Sequence, residues 1–213
     1  MGLVVAFDFD GTLADTMEMC LRAFCQAAAP YLGREPTLPE LVRHFGIAED
    51  GMARKICPAH AAEVHEGYLD LYGQLHPTYC PALFPGVREG LARLKEAGVR
   101  LALITGKGEK SLAISKRVLG LEGVFPLEFT GGLEYNRKAE QLKELLAVTG
   151  VAPSECLYVG DVLSDITLSR EAGITCLSAA WAPTADVNEL KAHNPDLVFF
   201  SFEELVAYIL ARI

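Results

Sequence analysis

Leu3-Val4-Val5-Ala6-Phe7-Asp8-Phe9-Asp10-Gly11-Thr12 is the stretch that decides the fold of this chain. Leu3 to Phe9 is short, β-rich and shows no apolar–polar alternation, the pattern of a strand covered on both faces. Asp10-Gly11-Thr12 ends it, and a helical pattern begins near Ala14. Asp8 and Asp10 therefore stand at the carboxyl end of a buried strand, the edge where parallel α/β sheets bind ligands.

Downstream, the same grammar repeats. Val87–Ala97 reads as a helix stopped by Gly98, a natural residue for a left-handed helix end. Residues 99–104 (VRLALI) read as a strand, followed by the loop Thr105-Gly106-Lys107-Gly108 and a helix over Glu109–Leu119. A short strand at Leu127–Thr130, a helix over Lys138–Thr149, a strand at Cys156–Val159 and a helix over Ser164–Ala172 come next. Strands near Ile174–Ser178 and Leu197–Phe200, with helices near Asp186–Ala192 and Phe202–Ala211, complete the run. Such alternation predicts a Rossmann-like α/β fold, a parallel sheet with helices on both faces. Between the first strand and Pro81 the character differs. Short helices (15–29, 39–45, 53–56 and 59–75) are separated by Pro30, Pro36, Pro39, Gly46 and Pro58, with no strand among them. Residues 15–81 are expected to form a small all-α cap domain, inserted into a core made of 1–14 and 82–213.

Length and composition agree with that size. The chain has 213 residues, of which 51% are hydrophobic and 22% charged, enough for a core that needs no staple. The formal net charge of −9 argues against nucleic acid or an anionic membrane as partner. It does not argue against an anionic substrate, because a bound cation reverses the local field of a pocket. Cys20, Cys25, Cys57, Cys80, Cys156 and Cys176 are scattered, with neither a CxxC pair nor zinc spacing, and read as reduced thiols. No apolar run approaches the ~20 residues of a membrane span, and the first residues lack the basic region of a signal peptide. The expectation is a cytoplasmic protein, monomer or homodimer.

Reading the residue after each apolar run collects the candidate chemistry. The first strand delivers Asp8, Asp10 and Thr12; VRLALI delivers Thr105; the helix over Lys138–Thr149 opens with a lysine; CLYV delivers Asp161 and Asp165. Singly, each has a plainer reading as a turn former, helix cap or solvated charge. Together, two carboxylate pairs, a hydroxyl and an ammonium meet on one sheet edge.

FDFDGTLADT, then LITGK, a helix-opening lysine and YVGDVLSDI, resembles the haloacid dehalogenase superfamily of hydrolases over nearly the whole chain. Within it the sequence is similar to phosphatases with a helical cap inserted after the first motif, such as the phosphoglycolate phosphatase-like group. The resemblance implies that Asp8 attacks phosphorus and forms an aspartyl-phosphate. It implies that Asp10 acts as general acid and base, its pKa raised by neighbouring carboxylates and partial burial. It implies Mg²⁺ held by Asp8, the backbone carbonyl of Asp10, and Asp161, with Asp165 supporting metal waters or Lys138 from behind. Thr105 and Lys138 would bind the phosphoryl oxygens. Gly11, Thr12, Gly106 and Lys107 are expected near the substrate phosphate, and Arg22, His44 and Arg54 are the cap residues expected to touch the rest of the substrate.

The chain departs from the pattern in two places. Proline usually follows the lysine of the third motif, where Ala139 stands here, and Arg137 is a neighbouring candidate for that lysine's role. Val162 replaces the usual Ser or Thr after Gly160-Asp161. Asp10 argues against the dehalogenase branch, which lacks this second aspartate. Cys20 stands where the sugar-phosphate mutases carry a histidine, which favours hydrolysis. GKGEKS (106–111) lacks the spacing of a Walker loop. His44, His60, His65 and His76 read as surface residues, and Trp181 as packing.

The expected function is therefore a Mg²⁺-dependent phosphatase acting on a small phosphorylated metabolite, a phosphoglycolate-like or sugar phosphate. Pyrophosphatase, phosphonate hydrolase and sugar-phosphate mutase are alternatives on the same parts. A non-catalytic phosphoacceptor of the response-regulator kind is a remote one, because those domains are shorter, lack a helical insertion and place the acceptor on a later strand.

Overall fold

Residues 2–213 are described by a computed structural model. Val4–Phe7 forms β1, buried along its whole length. Val5 and Phe7 join an apolar cluster with Leu103, Val159 and Phe202, whereas Val4 and Ala6 join a second with Ile104, Leu142 and Tyr158. Each side chain finds an apolar face, which is why the run carries no alternation. Strands β2 (Arg100–Ile104), β3 (Leu127–Phe129), β4 (Cys156–Gly160), β5 (Thr175–Ala179) and β6 (Val198–Phe199) complete one six-stranded sheet. Its order is β3-β2-β1-β4-β5-β6, and every neighbouring pair is parallel. The chain steps outward from β1 to β3, then resumes on the other side of β1 with β4. That reversal leaves a crevice beyond the carboxyl ends of β1 and β4.

Between β1 and β2 come α1 (Met17–Leu32), α2 (Leu38–Val42), α3 (Glu49–Ile56), α4 (Ala61–Tyr79) and α5 (Val87–Glu96). After β2 come α6 (Glu109–Leu119), α7 (Lys138–Thr149), α8 (Leu163–Glu171), α9 (Val187–His193) and α10 (Phe202–Leu210). Helices α5, α6 and α10 feed the cluster on one face of the sheet; α7, α8 and α9 feed the other. The first four helices form the expected helical cap, in which Phe24 of α1 meets Tyr68 of α4 with ring centroids 6.1 Å apart.

Boundaries in the α/β part lie within a residue or two of expectation; those in the cap do not. Pro30 was expected to break the first helix, yet α1 runs through it to Leu32 and ends at Gly33 in the left-handed region, φ +69°. The ring costs one hydrogen bond near the helix end, a loss the packing of α1 on α4 outweighs. Pro77 is likewise absorbed in the last turn of α4. The third helix begins at Glu49, not Ala53, with Gly51 inside it. A Cβ there would stand 2.3 Å from the Leu133 carbonyl oxygen, so glycine is what lets α3 lie against the core.

Candidate active site

The end of β1 is tied to β4 before any side chain acts: the Asp8 N–H donates to the Val159 carbonyl at 2.8 Å. The chain then turns tightly, with Leu13 N–H bonding the Phe9 carbonyl at 2.9 Å and Gly11 at φ +77°. A Cβ on Gly11 would sit 2.2 Å from an Asp161 carboxylate oxygen. Glycine is thus required both for the backbone conformation and for the approach of the two loops. The Thr12 hydroxyl, expected to face phosphate, donates instead to Asp161 Oδ1 at 3.1 Å and is fully buried. Trp181 packs edge-on against Phe202 and also donates its Nε1–H to the Thr12 carbonyl, bracing this turn.

Asp8, Asp161 and Asp165 are all buried, and each offers an oxygen within 4.8 Å of the others. Lys138, the first residue of α7, reaches Asp8 Oδ2 at 2.5 Å and Asp165 Oδ1 at 2.6 Å. Asp165, in the first turn of α8, also accepts the Val162 N–H at 3.2 Å and faces the Tyr158 hydroxyl at 3.4 Å. Gly160 permits this: a Cβ there would lie 2.3 Å from Asp165 Oδ2. Arg137 takes no part, since its guanidinium pairs with Glu140 at 2.9 Å and Glu144 at 3.3 Å on the exposed side.

Three buried carboxylates lie around one ammonium, which pairs with two of them, Asp8 and Asp165. Burial, opposed by Lys138 and reinforced by Asp165, raises the Asp8 pKa to about 6. Burial, then Asp165 and Asp8, push Asp161 well above the ordinary carboxylate range. For Lys138, burial works against the charge, but Asp165 and Asp8 outweigh it and hold the ammonium protonated. Among the described residues no cation pairs with Asp161. An all-oxygen donor set with surplus negative charge fits a hard divalent cation such as Mg²⁺.

A second charged cluster lies beside the first. Thr105 is buried, its N–H bonded to the Phe129 carbonyl at 3.0 Å and its Oγ accepting the Lys107 N–H at 3.2 Å. Lys107 was expected to approach substrate phosphate. Its ammonium is instead committed to Asp10 Oδ1 at 3.1 Å and Glu49 Oε1 at 3.6 Å, 4.5 Å from the centroid of the Tyr72 ring. Asp10 also accepts the Thr16 hydroxyl. Crowding by buried carboxylates is found at Asp8 and Asp161, while Asp10 faces a cation and a hydroxyl. Glu49, which the sequence reading passed over, accepts the Gly108 N–H at 2.8 Å, the Ser111 hydroxyl at 2.7 Å and the Tyr68 hydroxyl at 3.1 Å. Its signal in the sequence was the acidic pair Glu49-Asp50, favoured at a helix N-terminus that the reading placed too late.

A cavity of about 180 Å³ lies between the cap and the sheet edge. Asp8, Asp10, Thr105, Gly106, Lys107, Lys138 and Asp161 line its core side, and α1, α2, α3 and the turn after α2 close it from the cap. Gly11 and Thr12 lie behind Asp161 and do not line it. Neither do the three cap residues expected to touch substrate. Arg22 pairs with Glu18 on the exposed side of α1 and lies over Tyr79, Arg54 is exposed on α3, and His44 gives way to its neighbours Phe45 and Gly46. His76 corrects the surface reading: it is fully buried, and its Nε2 lies 3.0 Å from Ser115 Oγ.

The family model for haloacid dehalogenase-like hydrolases matches residues 5–179, a span that contains both carboxylate pairs, Thr105 and Lys138. The chain belongs to the haloacid dehalogenase-like hydrolase family. A phosphoglycolate phosphatase from Chromobacterium violaceum is 31% identical over 94% of this chain and 93% of its own. A relative from Caldanaerobacter subterraneus, provisionally named pyrophosphatase PpaX, is 26% identical over 96% and 93% of the two chains. The crystal structure of a predicted phosphoglycolate phosphatase from Haemophilus somnus superposes with a TM-score of 0.79 over 98% of both chains at 18% identity, a likeness of fold. Within the family this hydrolase is a phosphatase. No helix among its described residues is long and apolar enough to cross a membrane.

Proposed function

We propose that this hydrolase is a Mg²⁺-dependent phosphomonoesterase in which Asp8 is the nucleophile and Asp10 the general acid and base. The observation that carries the reading is the cluster of three buried carboxylates around Lys138 at the floor of the cavity. The Asp8 carboxylate forms a bond to phosphorus as the ester oxygen leaves, and Asp10 gives that oxygen a proton. Water then attacks the aspartyl-phosphate, Asp10 takes its proton, and phosphate departs. Lys138 and Thr105 hold the non-bridging oxygens, while Asp165 keeps the ammonium in place. Asp8, the backbone carbonyl of Asp10 and Asp161 would hold Mg²⁺, whose contribution is neutralisation of phosphoryl charge. Residues 15–81 serve as the cap domain over a core of 1–14 and 82–213, of which Met1 lies outside the described residues.

Cys20 supports hydrolysis over mutase chemistry. Its thiol lines the cavity, and enclosure pushes its pKa up to about 12, so it stays neutral and offers no base. The test is phosphate release from a panel of small esters and pyrophosphate, with Mg²⁺ or chelator, by wild type and Asp8→Asn. Release is expected only with Mg²⁺, and the variant is expected to lose on the order of 10⁴-fold or more. Retained turnover in Asp8→Asn would overturn the nucleophile assignment.

A further inference from the structure

The cap wall of the cavity bears on which ester is taken. Leu21 and Phe24 come from α1, Leu41 from α2, Phe45 and Ile47 from the turn after it, and Met52 from α3. The cap contributes no Arg, Lys or His to this lining. Its one charge there is the Glu49 carboxylate, bonded to Gly108, Ser111 and Tyr68. The two cations of the cavity both belong to the core, and both are committed: Lys138 to Asp8 and Asp165, Lys107 to Asp10 and Glu49. The N-terminus of α3 also holds no free attraction for an anion, since Glu49 and Asp50 already occupy its first turn.

Resting on the proposed phosphatase chemistry, we infer that the substrate is the phosphate monoester of a small uncharged, largely apolar alcohol, and that a leaving group with its own negative charge is rejected. With phosphorus at Asp8, the alcohol portion of the ester points toward the cap. A carboxylate or second phosphate placed there loses its hydration against Leu, Ile, Met and Phe side chains, finds no cation, and faces Glu49. An alkyl or aryl group there loses only contact with water, and gains from it. The same wall therefore selects against phosphoglycolate and pyrophosphate, the substrates named for relatives of this chain. A polar handle on the alcohol is served by Asn136 and Ser164, neutral groups that line the core side.

The experiment compares kcat/KM for n-butyl phosphate, phenyl phosphate, phosphoglycolate and pyrophosphate with Mg²⁺, each run alongside Asp8→Asn. Butyl phosphate is the informative arm, because butanol is a poorer leaving group than glycolate, and a preference for it reports binding and not intrinsic reactivity. The expected result is butyl and phenyl phosphate turned over on the order of a hundredfold more efficiently than the two dianionic-leaving-group or carboxylate-bearing substrates. Phe45→Arg, at a position 39% exposed and tolerant of a long side chain, is expected to narrow that ratio about tenfold by supplying the missing cation. Phosphoglycolate or pyrophosphate used as well as butyl phosphate, in an Asp8-dependent way, would overturn the inference and leave the phosphatase reading intact. Asp8-independent release, or none from any ester, would overturn both.

Discussion

Lys138 and Lys107 are both buried, and each lies beside two carboxylates, but they join different parts of the molecule. Lys138 binds Asp8 and Asp165, both from the sheet core, at 2.5 and 2.6 Å. Lys107 binds Asp10 of the core and Glu49 of the cap, at 3.1 and 3.6 Å. In both cases burial opposes the ammonium and the neighbouring acids outweigh it, so both stay charged. The surroundings then diverge. Asp161 adds a third buried carboxylate to the Lys138 cluster without a cation of its own, leaving excess negative charge where a divalent ion is expected. The Lys107 cluster is closer to balance and is closed by hydrogen bonds to Gly108, Ser111 and Tyr68. One arrangement is suited to holding a metal and a phosphoryl group; the other fastens the cap to the loop beside Asp10.

Removing the cation of the first cluster should have the largest effect. Lys138→Met leaves buried carboxylates uncompensated and is expected to cost about 3–5 kcal/mol in chelator. Denaturant melts with and without Mg²⁺ check this, and Mg²⁺ should restore part of the loss by binding only the folded state. Equal stability in the two conditions would break the contrast between a metal-accepting cluster and a self-contained one.

A smaller effect is expected from Glu49→Gln, which keeps a similar shape but removes the charge linking the cap to Lys107. Stability should fall by about 1–3 kcal/mol, and KM should rise more than kcat falls, because the cap loses its hold on the closed cavity. Steady-state kinetics beside thermal melts separates these. A fall in kcat alone would make Glu49 part of the chemistry and erase the distinction between the two clusters.

The smallest effect concerns His76, at the second junction of cap and core, where Tyr72, His76 and Ser115 meet. Burial holds the imidazole pKa below its ordinary value, so the unfolded chain binds this proton first as pH falls. Its contribution is complete above about pH 6.5 and declines as pH drops below that toward the folded pKa. His76→Asn should flatten this part of the stability profile, measured as the midpoint difference between wild type and variant from pH 7.5 to 5. An unchanged slope would place the acid sensitivity elsewhere.

The α/β part was legible because its signals are local. A two-sided strand such as Val4–Phe7 is an apolar run wherever it packs, and Glu109–Leu119 and Lys138–Thr149 end at Gly120 and Gly150, both in the left-handed conformation. Parallel order does the rest, since every residue that follows a strand must arrive at the same edge. In the cap, Pro30 read as a break and Ala53 as the start of the third helix, yet α1 runs through Pro30 because packing against α4 outweighs local preference, and α3 starts at Glu49 with Gly51 lying against Leu133.

Asp8, Asp10, Thr105, Lys138, Asp161 and Asp165 were thus assigned by sequence alone to one edge of one sheet, and with them the reaction class. What the tertiary structure decided is which charges face which. It turned Thr12 toward Asp161 and Lys107 toward Asp10, and it brought Glu49 from the cap onto the Gly108 loop. It also left Arg22, His44 and Arg54 outside the cavity while Leu21, Phe24 and Met52 line it. Position along a strand follows from a period of two residues, but a charge's partner follows from the packing of segments far apart in the chain, and no local pattern encodes that.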